Sequence, residues 1–225
     1  WENSITSAGN VTSLLYAALG KDFHEKNKKL LGTPFAQFLK LTSEVRTLFK
    51  VGEKQHIAAR FMGGVLWSYG NQTIAPYSEQ FYIGGANSLR AFTVRSIGPG
   101  TYNPSQNTKY GYLDQTGDIK LEANVEYRFP IFGELYGATF LDAGNVWLMR
   151  KDENRPGGEF TLKNFVKSIA LNTGVGVRYD LTFLVIRLDM GIALHVPYET
   201  GKSGYYNIPK FKDGLGLHFA IGYPF

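Results

Sequence analysis

The chain has 225 residues, 24 Lys and Arg against 19 Asp and Glu, a formal charge of +5 and no cysteine. The missing cysteines exclude a disulfide scaffold, thiolate metal sites and a cysteine nucleophile, and the mild, dispersed charge gives no nucleic-acid footprint. With 44% hydrophobic residues the chain is no disordered polymer, yet no apolar run reaches the roughly 18 residues of a membrane helix and no signal peptide opens it.

Aromatic residues at 15% and 26 glycines are more than a soluble domain requires. Period-two alternation explains them. A first strand is expected over about Ser4–Leu19. Leu39–Phe49 then sets Leu39, Leu41, Val45 and Phe49 against Lys40, Thr42, Glu44 and Arg46. Strands over about His56–Tyr69 and Leu135–Trp147 alternate less cleanly. In Leu121–Ile131 the polar face is Glu122, Asn124, Glu126 and Arg128. Leu171–Leu181 opposes Val175, Val177 and Tyr179 to Asn172, Gly174, Gly176 and Arg178, and Leu184–Leu194 carries Arg187 and Asp189 on its polar side. The last strand, Leu215–Phe225, alternates throughout. No segment has the pattern of an amphipathic helix, so the reading is all-β with eight antiparallel strands.

Long links (Gly20–Pro34, Gly70 to about Gly117, Leu148–Lys167, His195–Asp213) alternate with short ones (Val51–Lys54, Phe132–Glu134, Asp180–Thr182). On an up-and-down sheet all long loops then share one end. Transmembrane β-barrels have this plan, with long extracellular loops and short periplasmic turns, which puts both termini on the periplasmic side. Tyr69, Phe129, Tyr136, Trp147, Tyr179, Tyr223 and Phe225 at strand ends suit interfacial girdles. A soluble barrel or sandwich also alternates, but it would leave mixed charges outside and the polar-face glycines unexplained. The basic run Lys21–Lys29, with His24, reads as a solvated loop or a contact with lipopolysaccharide. The four histidines lack metal-ligand spacing and there is no nucleophile elbow, so no catalytic residue, metal or cofactor is expected. Gly84-Gly85 is not followed by the lysine and helix of a phosphate loop and reads as a turn.

Three segments carry a family likeness. The long third loop contains Phe81-Tyr82-x-Gly84-Gly85-x-x-Ser88-x-Arg90-x-Phe92, which resembles the lumenal loop of the outer-membrane assembly superfamily of BamA, TamA and the two-partner-secretion transporters. Glu126-Tyr127-Arg128-Phe129-Pro130 and Phe140-x-Asp142-x-Gly144-x-Val146-Trp147 are similar to two of its strand motifs. The end of the chain, with Gly216, Leu217, Phe219, Ile221, Gly222, Tyr223 and Phe225, resembles its carboxy-terminal β-signal. The likeness runs from about Pro76 to Phe225 and lies nearer the BamA/TamA side.

This resemblance implies a sixteen-stranded transmembrane barrel preceded by periplasmic POTRA modules. Residues 1–225, with eight strands and no POTRA pattern, would form the carboxy-terminal half as one region. An eight-stranded barrel is filled by its own side chains, so an inward loop over about 71–117 also requires further strands. By resemblance the loop motif Gly84, Gly85, Leu89, Arg90, Ala91 and Phe92 enters the lumen, and Arg90 meets Glu126 and Asp142. Ala91 stands where the family usually has glycine. Gly216 and Gly222 would weaken the closing strand 215–225 into a seam that templates an incoming strand, although small residues also suit a crowded lumen wall. The implied function is insertion of client β-barrel or secreted proteins into the outer membrane of a Gram-negative bacterium. Implied partners are outer-membrane lipids, lipopolysaccharide and periplasmic or lipoprotein accessory subunits. A two-partner-secretion pore and a small structural barrel remain as alternatives.

Overall fold

The computed structural model describes residues 1–23, 25–103 and 115–225; His24 and residues 104–114 of the long loop lie outside the described residues. The chain opens with strand β1 (Glu2–Ala8), helix α1 (Asn10–Ala18) and a hairpin of β2 (Lys29–Leu30) and β3 (Thr33–Pro34). Seven strands follow: β4 (Gln37–Lys50), β5 (His56–Tyr69), β6 (Ile119–Phe132), β7 (Leu135–Trp147), β8 (Ala170–Asp180), β9 (Val185–His195) and β10 (Leu215–Ile221). β1 pairs with β4, and each later strand pairs antiparallel with the next in a single eight-stranded sheet. β1 and β10 are its two edges and do not pair with each other.

Three sequence expectations are corrected. The segment expected as one strand over Ser4–Leu19 divides at Gly9, and its second part is helix α1. Leu14, Leu15, Ala17 and Ala18 are strong helix formers, and Gly9, with φ 72°, supplies the turn that period counting does not register. The closing strand stops at Ile221 instead of running to Phe225; Gly222 adopts φ 85° and redirects the last three residues. The basic run is not wholly solvated either. Lys28 is buried, its ammonium donating to the carbonyls of Asp22 (3.2 Å) and Phe23.

The sheet is inside-out relative to a soluble protein. On β6, Glu122, Asn124 and Glu126 are at most 1% exposed, whereas Val125 between them is 44% exposed. The same inversion holds on neighbouring strands. Leu141, Val175 and Leu188 are exposed, while Asp142, Arg178 and Asp189 are buried. Water would penalise this arrangement over so many strands, and lipid favours it, since charges and polar groups turn inward and aliphatic groups meet hydrocarbon.

The long link between β5 and β6 explains the inner burial. It lies against the inner face and contributes Phe81, Ile83, Leu89, Phe92 and Ile97 to a buried apolar cluster with Leu66 of β5 and Val146 of β7. Without that loop, Leu66, Val146 and the charged groups of the inner wall would be uncovered.

Candidate functional site

The site is the place where this loop touches the inner wall. Gly84 (φ 95°) and Gly85 (φ 91°) form its tight turn, and a β-carbon at Gly84 would overlap the Thr93 carbonyl. Backbone bonds close the turn: Gly85 N–H donates to Phe92 O (2.7 Å), Ser88 to Gly85 (3.0 Å) and Arg95 to Ile83 (2.9 Å). The residues Ser88-Leu89-Arg90-Ala91 thereby project as a fixed tip.

Arg90 is fully buried at that tip. Its Nε and Nη2 donate in parallel to the two oxygens of Asp142 on β7, at 3.0 and 2.9 Å, and its backbone N–H adds a third contact at 3.2 Å. Nη1 donates to Glu126 of β6, and the guanidinium plane lies 3.5 Å from the centre of the Phe140 ring. Planar, two-pronged contact of this kind fixes orientation as well as distance, which a lysine would not do.

The network extends past the residues singled out in the sequence. Glu126 also accepts from Arg178 of β8 (2.9 Å) and Arg128 (2.8 Å). Asp189 of β9 pairs with Arg178 (2.5 Å) and Arg187 (3.2 Å), and Asn124 and Asn172 each donate to Asp142 at 2.9 Å. Arg187 reaches back to the loop, donating to the Ala86 carbonyl (2.9 Å) and to Asn87. Ser88 donates to Glu122 (2.9 Å), which also pairs with Arg60 and Lys120. Alternation alone had put Arg178, Arg187, Asp189, Asn124 and Asn172 on the polar face; which charges meet depends on strand stagger, which a single sequence does not display.

Three glycines in register seat the tip. Gly174, Gly191 and Gly216 are successive cross-strand partners on β8, β9 and β10. A β-carbon at Gly191 would overlap the Arg90 carbonyl, and one at Gly216 would lie 2.8 Å from the carbonyl oxygens of both Arg90 and Ala91. At Gly174 it would overlap the Phe140 ring. Ala91 is outside the left-handed region, so the usual glycine is not needed there for backbone freedom. Leu89 and Phe92 are buried in the apolar cluster.

The β-signal residues divide. Leu217, Phe219 and Ile221 are each 68–69% exposed on the outer face of β10, and Gly216 faces the loop. Past Gly222 the chain bends inward: Tyr223 lies against Arg128 (4.1 Å), and the Phe225 ring is 5.2 Å from Arg60 and 5.9 Å from Arg90. Among the described residues, no cluster of His, Asp and Glu could hold a metal.

Residues 24–225 match the Omp85 superfamily domain. The chain belongs to the Omp85 superfamily. This Omp85 chain is 32% identical over 90 residues to the outer membrane protein assembly factor BamA of Neisseria meningitidis serogroup B, a match covering 37% of the chain and 11% of that protein. It is 27% identical over 147 residues to the sorting and assembly machinery component 50 homolog of Homo sapiens, covering 64% of the chain and 30% of that protein. Its fold is similar to that of BamA from Haemophilus ducreyi lacking POTRA domains 1–3, with a TM-score of 0.55 at 16% identity over 82% of this chain and 35% of that one. The chain thus spans less than a third of the curated relatives it matches. Superfamily and fold place it in an outer membrane, and both relatives are named for assembly, not for an enzymatic reaction.

Proposed function

We propose that this Omp85 chain forms the carboxy-terminal half of a larger barrel that inserts client β-barrel proteins into the outer membrane. Three parts do the work. The loop tip, locked through Arg90 to Glu126 and Asp142, holds β6 to β9 as a rigid wall. β10 is the mobile side of a lateral seam, its outer edge meeting the barrel's first strand. A client strand then gains hydrogen bonds at that edge, where unpaired backbone in hydrocarbon would lose several kcal/mol per group.

The observation that carries this reading is the contrast in length between an inner ladder of the wall and its last one. β4 and β5 pair over fourteen residues, while β10, like β1 at the other edge, pairs with its neighbour over only seven. A short ladder holds fewer backbone bonds and parts more readily, and an unpaired edge templates another strand. The names and barrel likeness of the relatives support the same class of activity. In this reading both termini of the segment are periplasmic, POTRA modules precede it, and accessory subunits dock on those modules.

Depletion of the full-length protein tests the proposal. Loss of many unrelated outer-membrane barrels is expected. Loss of a single secreted substrate, together with ion conductance by the purified barrel, would instead make it an export pore. A complete, heat-modifiable barrel of only these 225 residues would make it a small structural barrel.

A further inference from the structure

The long-loop end of β7 to β10 carries a second feature that the seated loop does not use. Trp147 shares the strand parity of Leu141, which is 47% exposed on the outer face, yet Trp147 is only 1% exposed. It is covered by the β7–β8 link: its ring stacks on Phe165 (5.7 Å), meets Phe160 edge-on (5.5 Å), and its Nε1–H donates to Ser168 (3.0 Å). His195 lies opposite Leu171 beyond a bulge in the β8–β9 ladder, which turns it to the same outer side. It stacks on Tyr205 at 4.4 Å, and its ring nitrogens face the carbonyls of Lys167 (3.0 Å) and Tyr205 (2.7 Å). The β7–β8 and β9–β10 links are therefore joined at the long-loop end of the sheet, at the rim of the apolar surface.

What they present there is apolar and cationic. Leu162 and Val166 are 84% and 68% exposed, with Lys163 and Lys167 exposed beside them. The two links, Leu148–Lys167 and His195–Asp213, hold eight Lys and Arg against five Asp and Glu, and Lys163, Lys167, Lys210 and Lys212 are exposed on them. None of these four has an ion-pair partner among the described residues, whereas Lys202 donates to the Ile208 carbonyl (3.0 Å) and lies over the Tyr206 ring. The three short turns at the opposite end hold Lys54 against Glu53, Glu134 and Asp180.

We infer that this rim binds the phosphorylated headgroup of lipopolysaccharide. Aliphatic and aromatic groups at a membrane boundary enter the acyl region, and lysines beside them extend their ammonium groups to the headgroup level. Several unpaired lysines on two joined loops match a lipid whose headgroup carries more than one phosphate better than a single phosphodiester. The basic run at Lys21–Lys29, the sequence's own candidate for such a contact, is the poorer fit, because Lys28 is turned inward onto backbone carbonyls. This inference rests on the proposed orientation, with the long loops extracellular, and is independent of whether the protein inserts clients.

The test uses full-length protein reconstituted in phosphatidylcholine vesicles containing either lipid A or phosphatidylglycerol at equal charge, with retained lipid measured by native mass spectrometry. Wild type is expected to retain lipid A in preference to phosphatidylglycerol. K163Q/K167Q should reduce lipid A retention by about thirtyfold, as two lost lysine–phosphate contacts imply. K210Q/K212Q should also lower it, which keeps the test open if the first variant folds poorly. K50Q/K54Q, an equal loss of charge at the short-turn end, should leave retention unchanged, and heat-modifiable mobility checks that each variant folds. Equal retention of the two lipids, undiminished retention in both rim variants, or an equal loss in K50Q/K54Q would overturn the inference.

Discussion

Gly216 lies directly beneath the Arg90 carbonyl, so close that a β-carbon there would come within 2.8 Å of the oxygen. The strand at the proposed seam and the arginine that locks the loop are therefore in van der Waals contact. Any outward movement of β10 uncovers one side of the loop tip, and any lifting of the tip removes the surface against which β10 rests. Sequence alternation gave two meanings to the glycines of this strand, a weakened ladder or a crowded wall. Gly216 has the second meaning, and Gly222, with φ 85°, marks where the ladder stops.

Gly216→Val forces either the loop or β10 to shift, because the obstructing atoms are backbone and cannot rotate away. Overpacking of this kind destabilises by about 1–3 kcal/mol. Limited proteolysis of the folded barrel should show faster cleavage within the 84–95 loop than in wild type. Leu217→Val, on the exposed outer face of the same strand, should leave cleavage unchanged.

Asp142 receives four side-chain donor contacts, two from Arg90 and one each from Asn124 and Asn172. Asp142→Ala leaves the Arg90 guanidinium buried with only Glu126 as a carboxylate partner at hydrogen-bond distance, and should destabilise the barrel by about 3–5 kcal/mol. The midpoint of unfolding in denaturant measures this. The charge swap Arg90→Glu with Glu126→Arg should recover part of what Arg90→Glu loses. Failure of every swap with Glu126 or Asp142 would remove pairing as the source of the lock.

Arg187 holds the descending side of the loop through Ala86 and Asn87 while pairing with Asp189. Arg187→Lys keeps the charge but loses the fork that reaches both loop groups and the carboxylate together. Hydrogen exchange at residues 86–88 should quicken, with little change in the ladder between β6 and β7.

Outer-face substitutions test the membrane orientation. Val175→Arg, midway along the exposed face of β8, should destabilise by about 2–4 kcal/mol in a bilayer. Ile131→Arg on the outer face of β6, beside the short turn that follows it, should have a smaller effect. A soluble barrel would tolerate both, since in water neither cation would be desolvated.

Much of the fold was legible because the side-chain period of a strand is two, and a lipid-facing strand keeps that period along its length. Leu121–Ile131 and Leu184–Leu194 differ from β6 and β9 by no more than two residues at either end. The helix at Asn10–Ala18 was missed because its apolar residues Val11, Leu14, Leu15 and Leu19 are largely exposed, so no buried stripe marks it. Of the site, the family-like loop and its acidic partners Glu126 and Asp142 were readable as residues. The Arg178–Asp189–Arg187 extension and the glycine seat were not, because both arise from register between strands that are distant in the sequence.

The most direct test of the account is site-specific crosslinking during assembly, in a segment of 225 residues that carries no cysteine of its own. A single cysteine at Phe219, on the short edge strand, is placed in the full-length protein, and a client barrel is stalled during insertion with a cysteine in its terminal strand. A second protein carries the cysteine at Val175 on β8, which is paired on both sides. The account predicts a disulfide-linked adduct from Phe219→Cys and none from Val175→Cys. Equal adducts at both positions, or none at Phe219 while the client still inserts, would contradict the proposal that β10 is the seam.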